Sequence, residues 1–468
     1  FGEGTRTPIV ITVLVKTKDS TEQGQILFHD IGDYLGREQK LAIVKNSKSI
    51  SNMMGANNFV EIQPDDEHDW LNQGDKSYKN LIIMGSKDHT DSGSVFEKYS
   101  NGLKTQRDAW CYNASRTKLL ENVNNLIKNY NSTVARCSGM SIDSIKQEVD
   151  RDPKRTNWSD RLYRGVRDGE IQKLNENNCR NVSYRPFTKT FLYHSNFFNE
   201  RQYQMPKLFP DVETKNKVIC VTGSGTNHQF SCLLTDTIAD VQFLFNGQCF
   251  PIFMYENDNQ TTDLLSINNI EKNTKFSAIK ESTLEDLRNF YGGESIQNHD
   301  LFYYIYGILH SPDYRERFEN DLRRDLPRIP FVKSFSVFKE FSVAGKKLGD
   351  LHAGYETIDP YHVTFKEGDP KLWKVEDPKS FYRVKKMKYA QLGKKSSVKY
   401  NENITIQNIP IEASEYRVNG KPALEWVMDR QCISTNKSSG IVNEANDYAN
   451  ETMNNPAYPL ELFQRVIT

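Results

Sequence analysis

The chain has 468 residues, enough for about two or three domains, and its 37% hydrophobic content excludes a disordered protein. It carries 61 Lys plus Arg and 61 Asp plus Glu, so the net charge is zero and any basic surface must be local. No apolar run approaches the roughly 20 residues of a membrane-spanning helix, which excludes a helical membrane protein.

The seven cysteines are odd in number, and no two of them lie at the spacing of zinc ligands. They are Cys111, Cys137, Cys179, Cys220, Cys232, Cys249 and Cys432. This pattern argues against a structural metal site and against a disulfide framework. It predicts reduced thiols in a cytosolic protein.

The N-terminal region has the pattern of an α/β sheet. The run IVITVLVK at residues 9–16 is continuously apolar and β-branched, which predicts a strand buried on both faces. A second short strand is predicted at QILFHD, residues 25–30, and a helix at residues 35–44. Because the chain opens at Phe1 without Met and enters this pattern almost at once, we expect it to be part of a longer polypeptide.

The middle of the chain is predicted to be helical. Apolar residues, among them Leu119 and Val123, recur at three-to-four spacing within residues 104–131, which predicts an amphipathic helix. A second helix is predicted at residues 142–149. The charged, proline-bearing residues 150–159 then read as a linker or a sharp turn.

From Ser183 onward the pattern becomes β-rich. Short aromatic and β-branched runs alternate with Gly, Asn and Pro, as in FLYH, VICVTG and CFPIFMY. Helices are predicted at residues 303–318 and 422–430. The chain is therefore predicted to combine an α/β part with a later α+β part that is rich in strands.

A glycine-rich loop follows one of these strands in VICVTGSGTNHQF. Gly223 and Gly225 are two apart, but a dinucleotide-binding fingerprint would need a third glycine where the chain has His228. One interpretation is a simple hairpin turn. The other is a loop that reads DNA, because Asn227, His228 and Gln229 carry groups that hydrogen-bond to base edges.

The strongest local charge lies in FYRVKKMKYAQLGKKSSVK, residues 381–399, which contains no acidic residue. Residues 331–400 hold 15 Lys plus Arg against 8 Asp plus Glu, so the neutral chain must be polarised. One interpretation is a solvated face, and the other is contact with a phosphate backbone. The residues predicted to make that contact are Arg383, Lys385, Lys386, Lys388, Lys394 and Lys395.

No catalytic centre is recognisable from spacing. The chain has no Walker-type loop and no helical zinc-protease pair. NPAY at Asn455–Tyr458 resembles the adenine-methyltransferase tetrad with one proline lost, but it follows polar residues near the C-terminus and is interpreted as a coincidence. No catalytic, cofactor-binding or metal-binding residue is therefore predicted in this chain.

Several segments spread over nearly the whole chain resemble the C-terminal part of Type ISP restriction-modification enzymes. They are GEGTRTPIVITVLVK (Gly2–Lys16), TQRDAWCYN (Thr105–Asn113), YRPF (Tyr184–Phe187), YGILHSPDYRERF (Tyr306–Phe318) and ALEWVMDR (Ala423–Arg430). The resemblance implies the end strands of a Rossmann-like methyltransferase sheet, then helices, then a mixed β-rich recognition domain. The implied boundaries are 1–104 for the end of the methyltransferase domain, 105–165 for a helical connection and 166–468 for the target recognition domain.

The resemblance also implies a function. Such a chain would recognise a specific sequence in double-stranded DNA and position a target adenine for N6-methylation. Its partners would be DNA and the upstream methyltransferase, ATPase and nuclease segments of the same polypeptide, in the bacterial cytoplasm. S-adenosylmethionine, ATP and Mg²⁺ are expected for the parent enzyme and no cofactor for this chain, since the family's cofactor and NPPY loops are not found here.

Two further residues, Arg185 and Lys189, flank a predicted strand near YRPF and are predicted to reach a phosphate. Within the same segment, Tyr184 and Phe187 have the character of core residues. Two alternatives to DNA reading stay open. One is an interaction or packing module without DNA specificity of its own, and the other is an intact enzyme whose chemistry is not recognised.

Overall fold

The computed structural model describes residues 10–16, 24–32, 35–55, 59–86, 93–226, 228–257, 273–372, 374–391 and 393–468. The chain forms two compact units, Phe1–Gln73 and Gly74–Thr468. The predicted boundaries near residues 104 and 165 both fall inside the second unit, and they stay predictions.

The first unit contains a small sheet and two helices. Its elements are β1 (Ile26–Phe28), α1 (Arg37–Ser47), α2 (Ile50–Gly55) and β2 (Val60–Ile62). β1 and β2 are antiparallel, with Ile26 opposite Ile62. The predicted second strand and the helix after it are therefore confirmed.

The predicted buried strand at residues 9–16 is not observed in the described part of this segment, residues 10–16. These residues have no regular secondary structure, and the side chains of Val10 and Leu14 are 76% and 86% exposed. A strand is stabilised by its neighbours in a ladder, and no described residue pairs with this segment. The prediction of burial is therefore wrong for residues 10–16, and Ile9 lies outside the described residues.

The second unit is a mixed assembly of helices and small sheets. Its helices are α3 (Asp108–Cys111), α4 (Arg116–Cys137), α5 (Ile142–Glu148), α6 (Asp160–Arg167), α7 (Met205–Leu208), α8 (Glu281–Phe290), α9 (Asn298–Ile308), α10 (Pro312–Arg317), α11 (Glu319–Arg324), α12 (Phe335–Ala353), α13 (Pro378–Phe381), α14 (Ala423–Arg430), α15 (Ala445–Asp447) and α16 (Tyr458–Ile467). None of the helices in the described residues is long and apolar enough to cross a membrane.

The long helix α4 follows from its sequence. Leu119, Val123 and Ile127 recur at helical spacing and are all buried, as predicted. Ser115 caps the first turn, because its hydroxyl accepts a hydrogen bond from the Lys118 N–H at 3.2 Å. The helices predicted at residues 142–149 and 422–430 are also observed, as α5 and α14.

The helix predicted at residues 303–318 is two helices, α9 and α10. Ser311 separates them and caps α10 by accepting a hydrogen bond from the Tyr314 N–H. Pro312 is the first residue of α10, a position that needs no intrahelical N–H donor, whereas a proline within a continuous helix would lose a hydrogen bond and clash with the preceding turn. The Ser-Pro pair therefore divides the predicted helix.

The strands of the second unit are short. They are β3 (Ile82–Gly85), β4 (Ser94–Phe96), β5 (Ser100–Asn101), β6 (Tyr112–Asn113), β7 (Cys179–Arg185), β8 (Thr188–Tyr193), β9 (Val218–Val221), β10 (Cys232–Thr235), β11 (Gln248–Pro251), β12 (Phe253–Asn257), β13 (Asn273–Ser277), β14 (Arg328–Ile329), β15 (Thr364–Phe365), β16 (Lys388–Gln391), β17 (Lys394–Lys399), β18 (Thr405–Gln407), β19 (Arg417–Val418), β20 (Lys421–Pro422), β21 (Ile433–Thr435) and β22 (Val442–Glu444).

These strands form several separate sheets. The larger ones have the strand orders β14-β3-β4, β10-β9-β11-β5, β6-β8-β7 and β15-β18-β17-β16. Three pairs, β12–β13, β19–β20 and β21–β22, are antiparallel hairpins. This architecture confirms the predicted mixed α/β and α+β class with a β-rich later part.

Helices α9 and α12 pack at close range because glycines lie at their contact. A Cβ atom on Gly345 would collide with the backbone oxygen of Tyr303, and one on Gly307 would collide with the backbone oxygen of Phe341. The two backbones therefore approach each other without intervening side chains. Most of the remaining surface of α9 is buried, including Tyr304 and other large side chains.

A buried histidine extends this core at the end of α12. The imidazole of His352 lies between two tyrosine hydroxyls, with 2.5 Å from Nδ1 to the oxygen of Tyr306 and 3.0 Å from Nε2 to that of Tyr416. Burial lowers the pKa of His352 to about 4, and the nearby Arg315 guanidinium adds to this effect. His352 is therefore neutral in the folded protein at pH 7.

Acidification is expected to destabilise the protein through this histidine. Between pH 6.5 and 4 the unfolded chain binds a proton at His352 and the folded chain does not, so stability is full above pH 6.5 and falls as the pH decreases. One such group contributes about 3 kcal/mol over this interval. Chemical unfolding of wild type and His352→Gln at several pH values measures the difference.

The exposed His362 provides the matched control, as His362→Gln. The loss of unfolding free energy between pH 6.5 and 4 should be smaller in His352→Gln by about 3 kcal/mol, and it should be unchanged in the control. Identical pH dependence in all three proteins would contradict the assignment of a neutral buried His352.

Candidate nucleic-acid interface

The turn before α14 has a sequence that closes a tight hairpin. Asn419 and Gly420 connect β19 to β20, and both have positive φ, 54° and 73°. This is the Asn-Gly signature of a two-residue hairpin loop. The hairpin holds Trp426 of α14 in place, because its indole N–H donates to the carbonyl oxygen of Val418 at 2.9 Å.

The same turn anchors the loop that was predicted to read bases. The backbone N–H of Asn419 donates to the hydroxyl of Ser231 at 2.7 Å, and the side-chain oxygen of Asn419 accepts from the hydroxyl of Thr222 at 3.3 Å. Thr222 and Ser231 lie at the two ends of this loop, which we call the His228 loop. The loop is therefore attached to the segment that leads into α14.

The exposed part of this loop lies beside an aromatic cluster. The His228 ring stacks on Phe245 with 3.6 Å between ring centroids, and Phe245 lies 6.2 Å from Trp426. His228 and Gln229 are exposed, as a base-reading role requires. Asn227, the third residue predicted to read bases, lies outside the described residues.

The predicted basic segment folds mainly as the β16–β17 hairpin. Lys388 pairs with Lys399 and Tyr389 with Val398, and Gly393 near the tip has a positive φ of 77°. The hairpin also contacts α14, because the Tyr389 hydroxyl donates to Glu425 at 3.0 Å. The predicted base-reading loop and the predicted phosphate-binding segment thus meet at one helix.

The cations of this segment differ in how they are paired. Lys395 lies 3.3 Å from Glu425, and Arg383 makes two hydrogen bonds of 2.7 and 3.0 Å to the carboxylate of Glu444. Four exposed lysines form no ion pair with a described residue, and these are Lys385, Lys386, Lys388 and Lys394. The second group is better placed for phosphate contact than the first.

Two cations that the sequence analysis missed lie at α14. The ammonium of Lys421 is 4.7 Å from the centre of the Trp426 ring, and the Arg430 guanidinium is 5.9 Å from it. Lys421 lies in β20, just before α14, and Arg430 is the last residue of α14. Their signal was present in the KPALEWVMDR segment, but only the fold brings Trp426, which both approach, near the stacked rings of His228 and Phe245.

We call the exposed groups around α14 the α14 surface. It comprises His228, Gln229, Lys385, Lys386, Lys388, Lys394 and Arg430, whereas Lys421 is half-buried and paired with Asp429.

Arg185, predicted to contact phosphate, is instead held by carboxylates. Its guanidinium lies 2.7 Å from Asp240 and 3.5 Å from Asp108, and its side chain is 12% exposed. Burial raises the pKa of Asp240 to about 6 although Arg185 opposes the shift. The Tyr112 hydroxyl donates to the same carboxylate at 2.7 Å. This arrangement favours a structural role for Arg185.

Lys189 is placed similarly. Its ammonium lies 2.9 Å from the carboxylate of Glu356, and its side chain is 14% exposed. A paired and largely buried ammonium has little surface left for a phosphate. Among the core residues of the same segment, Phe187 is buried as predicted, whereas Tyr184 is half-buried and donates to Asp108 at 3.1 Å.

The NPAY segment has a structural role in this fold. The Asn455 side chain donates to Glu461 at 3.0 Å and accepts from the Ala457 N–H at 3.0 Å, which secures the start of α16. Among the described residues, no group of three or more His, Cys, Asp or Glu side chains is arranged to hold a metal ion.

Comparison with known proteins identifies relatives of this fold. The family model of the Type ISP C-terminal specificity domain matches residues 94–462. No curated protein matches the chain.

Solved structures similar to this chain include those of two Type ISP enzymes and of a DrdV–DNA complex. The nuclease-deletion mutant of the Type ISP restriction-modification enzyme LlaGI, in complex with a DNA substrate mimic, is 33% identical with a TM-score of 0.78, over 96% of this chain and 32% of that one. The Type ISP enzyme LlaBIII bound to DNA is 33% identical with a TM-score of 0.79, over 96% and 27%. The DrdV–DNA complex is 26% identical with a TM-score of 0.75, over 95% and 42%. The chain therefore spans less than half the length of each.

Proposed function

The chain belongs to the family of Type ISP C-terminal specificity domains, and from this membership we propose that it recognises a short, asymmetric sequence in duplex DNA. The observation that carries the proposal is the junction at α14. There the His228 loop, anchored through Asn419, and the basic β16–β17 hairpin, anchored through Glu425, contact the same helix and the turn before it. Groups suited to base edges and groups suited to phosphates are thus assembled on one surface.

Recognition at the α14 surface combines contacts to phosphates with contacts to base edges. The unpaired lysines Lys385, Lys386, Lys388 and Lys394 hold phosphates and set the register of the duplex without reading its sequence. The exposed side chains of the His228 loop read base edges. A well-placed pair of hydrogen bonds to one base discriminates by about 1–3 kcal/mol.

We further infer that recognition by this chain positions a target adenine for N6-methylation by upstream segments of a longer polypeptide in the bacterial cytoplasm. Those segments would also carry the ATPase and nuclease, and they would bind S-adenosylmethionine, ATP and Mg²⁺. Two observations support this inference. The chain has no NPPY or Walker-type loop, and it matches only 32% and 27% of the LlaGI and LlaBIII chains, both restriction-modification enzymes.

Selection of bound duplexes from a random DNA pool tests the proposal. We expect the chain at moderate salt to enrich one short, asymmetric motif that contains an adenine. The Gln229→Ala variant should relax the preference at one base position and retain the others, because the loss of one reader leaves the remaining contacts in place.

Two results would contradict parts of this proposal. If Gln229→Ala weakened binding to every sequence alike, the His228 loop would not be a reader. If the unaltered chain enriched no motif, its role would be that of a packing module for the upstream segments.

A further inference from the structure

A cation-lined cleft lies beside α4, separate from the α14 surface. It has a volume of about 520 Å³ and is bordered by α4, by the turn after α5 and by the β21–β22 hairpin. Its polar lining consists of Asn122, Asn125, Lys128, Asn129, Lys154 and Arg155. None of the residues of the α14 surface lines this cleft.

The cleft has the charge of an anion-binding groove. None of the residues that line it carries a carboxylate. Lys128 and Lys154 form no ion pair with a described residue. Arg155 is paired only with Asp150, at 3.4 Å, and the side chains of Arg155 and Asp150 are 65% and 49% exposed. Two free ammonium groups and one weakly held guanidinium therefore face it.

The amide side chains in the cleft are spaced for an elongated ligand. Asn122, Asn125 and Asn129 are three and four residues apart on α4, so they lie along one face of the helix. Asn129 donates to the backbone oxygen of Arg155 at 2.9 Å and ties the helix to the opposite wall. Amide donors next to cations are the groups that proteins commonly place against phosphate oxygens of nucleic acids.

One edge of the cleft lies close to the basic segment of residues 381–399. Ile441, beside the tip of the β21–β22 hairpin, lines the cleft, while Ile433 at the other end of the hairpin donates its N–H to the Lys385 oxygen at 3.0 Å. Three strand residues separate these two ends, a distance of about 10 Å. The near edge of the cleft and Lys385 are thus well within one helical turn of DNA, about 34 Å.

We propose that this cleft binds the phosphate backbone of the same duplex, on one side of the recognised sequence. The inference rests on the proposed function, because it assigns a flanking contact to DNA already held at the α14 surface. The contact is independent of sequence. Its consequence is that a duplex extended on one side of the motif binds more tightly than one extended on the other side.

Binding of three duplexes to the full chain tests this proposal. They carry the selected motif alone, the motif with a left flank of one helical turn, and the motif with an equal right flank. We expect one flank only to raise the affinity and to steepen its dependence on salt. In Lys128→Ala/Lys154→Ala the slope of log affinity against log salt for that duplex should fall by about 2, with binding of the short duplex unchanged.

Lys333→Ala/Lys347→Ala removes the same charge from exposed positions outside both surfaces and should behave as wild type. If Lys128→Ala/Lys154→Ala binds all three duplexes as wild type does, the cleft proposal is overturned and the recognition proposal stands. If the unaltered chain binds none of the duplexes, both proposals are overturned.

Discussion

Replacement of Lys385, Lys386, Lys388 and Lys394 by alanine is expected to weaken binding to duplex DNA of every sequence. These side chains are exposed and unpaired among the described residues, so each is free to neutralise a phosphate and release counterions. Four such contacts correspond to roughly 1,000-fold in affinity near 0.1 M salt and to a salt slope lower by about 4. Titration of labelled duplexes at several salt concentrations measures both quantities.

The control removes four exposed lysines at other places, Lys173, Lys215, Lys333 and Lys347. It changes the net charge by the same amount and should retain most of the affinity. The preferred motif should survive in the test variant at low salt, because the His228 loop is intact. Equal affinity of the two variants would show that the basic segment is a solvated face.

Removal of the carboxylate of Asp240 is expected to destabilise the second unit strongly. In Asp240→Ala the guanidinium of Arg185, only 12% exposed, loses its 2.7 Å partner, and the Tyr112 hydroxyl loses its acceptor. Asp108, 3.5 Å from Arg185, compensates only part of the charge, and breaking a buried ion pair costs about 3–5 kcal/mol. Denaturant unfolding followed by circular dichroism measures this loss. Asp168→Ala, which removes a carboxylate from an exposed pair with Arg167, is the control and should not shift the unfolding midpoint.

A double variant distinguishes structural pairing from DNA contact. Arg185→Met/Asp240→Leu replaces the pair by apolar groups of similar size, which should recover the part of the Asp240→Ala loss that comes from Arg185, while the Tyr112 hydroxyl stays without its acceptor. If Arg185 is structural, this variant binds DNA with wild-type affinity. A stable double variant with a large loss of affinity would instead restore Arg185 to the phosphate contacts predicted from the sequence.

The features that could be predicted from the sequence were the local ones. The buried face of α4 follows from the spacing of Leu119 and Val123, and the cations at residues 383–399 are visible as a run. Whether each cation is free is set by distant partners: Glu444 for Arg383, 61 residues away, and Asp240 for Arg185, 55 residues away. No sequence pattern reveals such pairs.

The same limit explains the errors in the fold and the omissions in the site. The prediction of burial at residues 10–16 assumed strand partners that no described residue supplies. Lys421 and Arg430 were overlooked because the segment that carries them is tied to the His228 loop only by the link from Asn419 to Ser231 and its neighbours in space. That link joins positions 188 residues apart.

The close approach of α9 and α12 bears on whether the two helices can slide along each other. Gly345 meets the backbone at Tyr303, and one helical turn away Gly307 meets it at Phe341. A slide of one turn, about 5.4 Å, that brings Phe341 opposite Tyr303 would force a large side chain into the contact, whereas a slide in the other direction would bring Gly349 opposite Tyr303 and Gly345 opposite Gly307. The contact therefore resists sliding of α12 along α9 in one direction more than in the other, because the glycines of α12 follow one another at four-residue spacing.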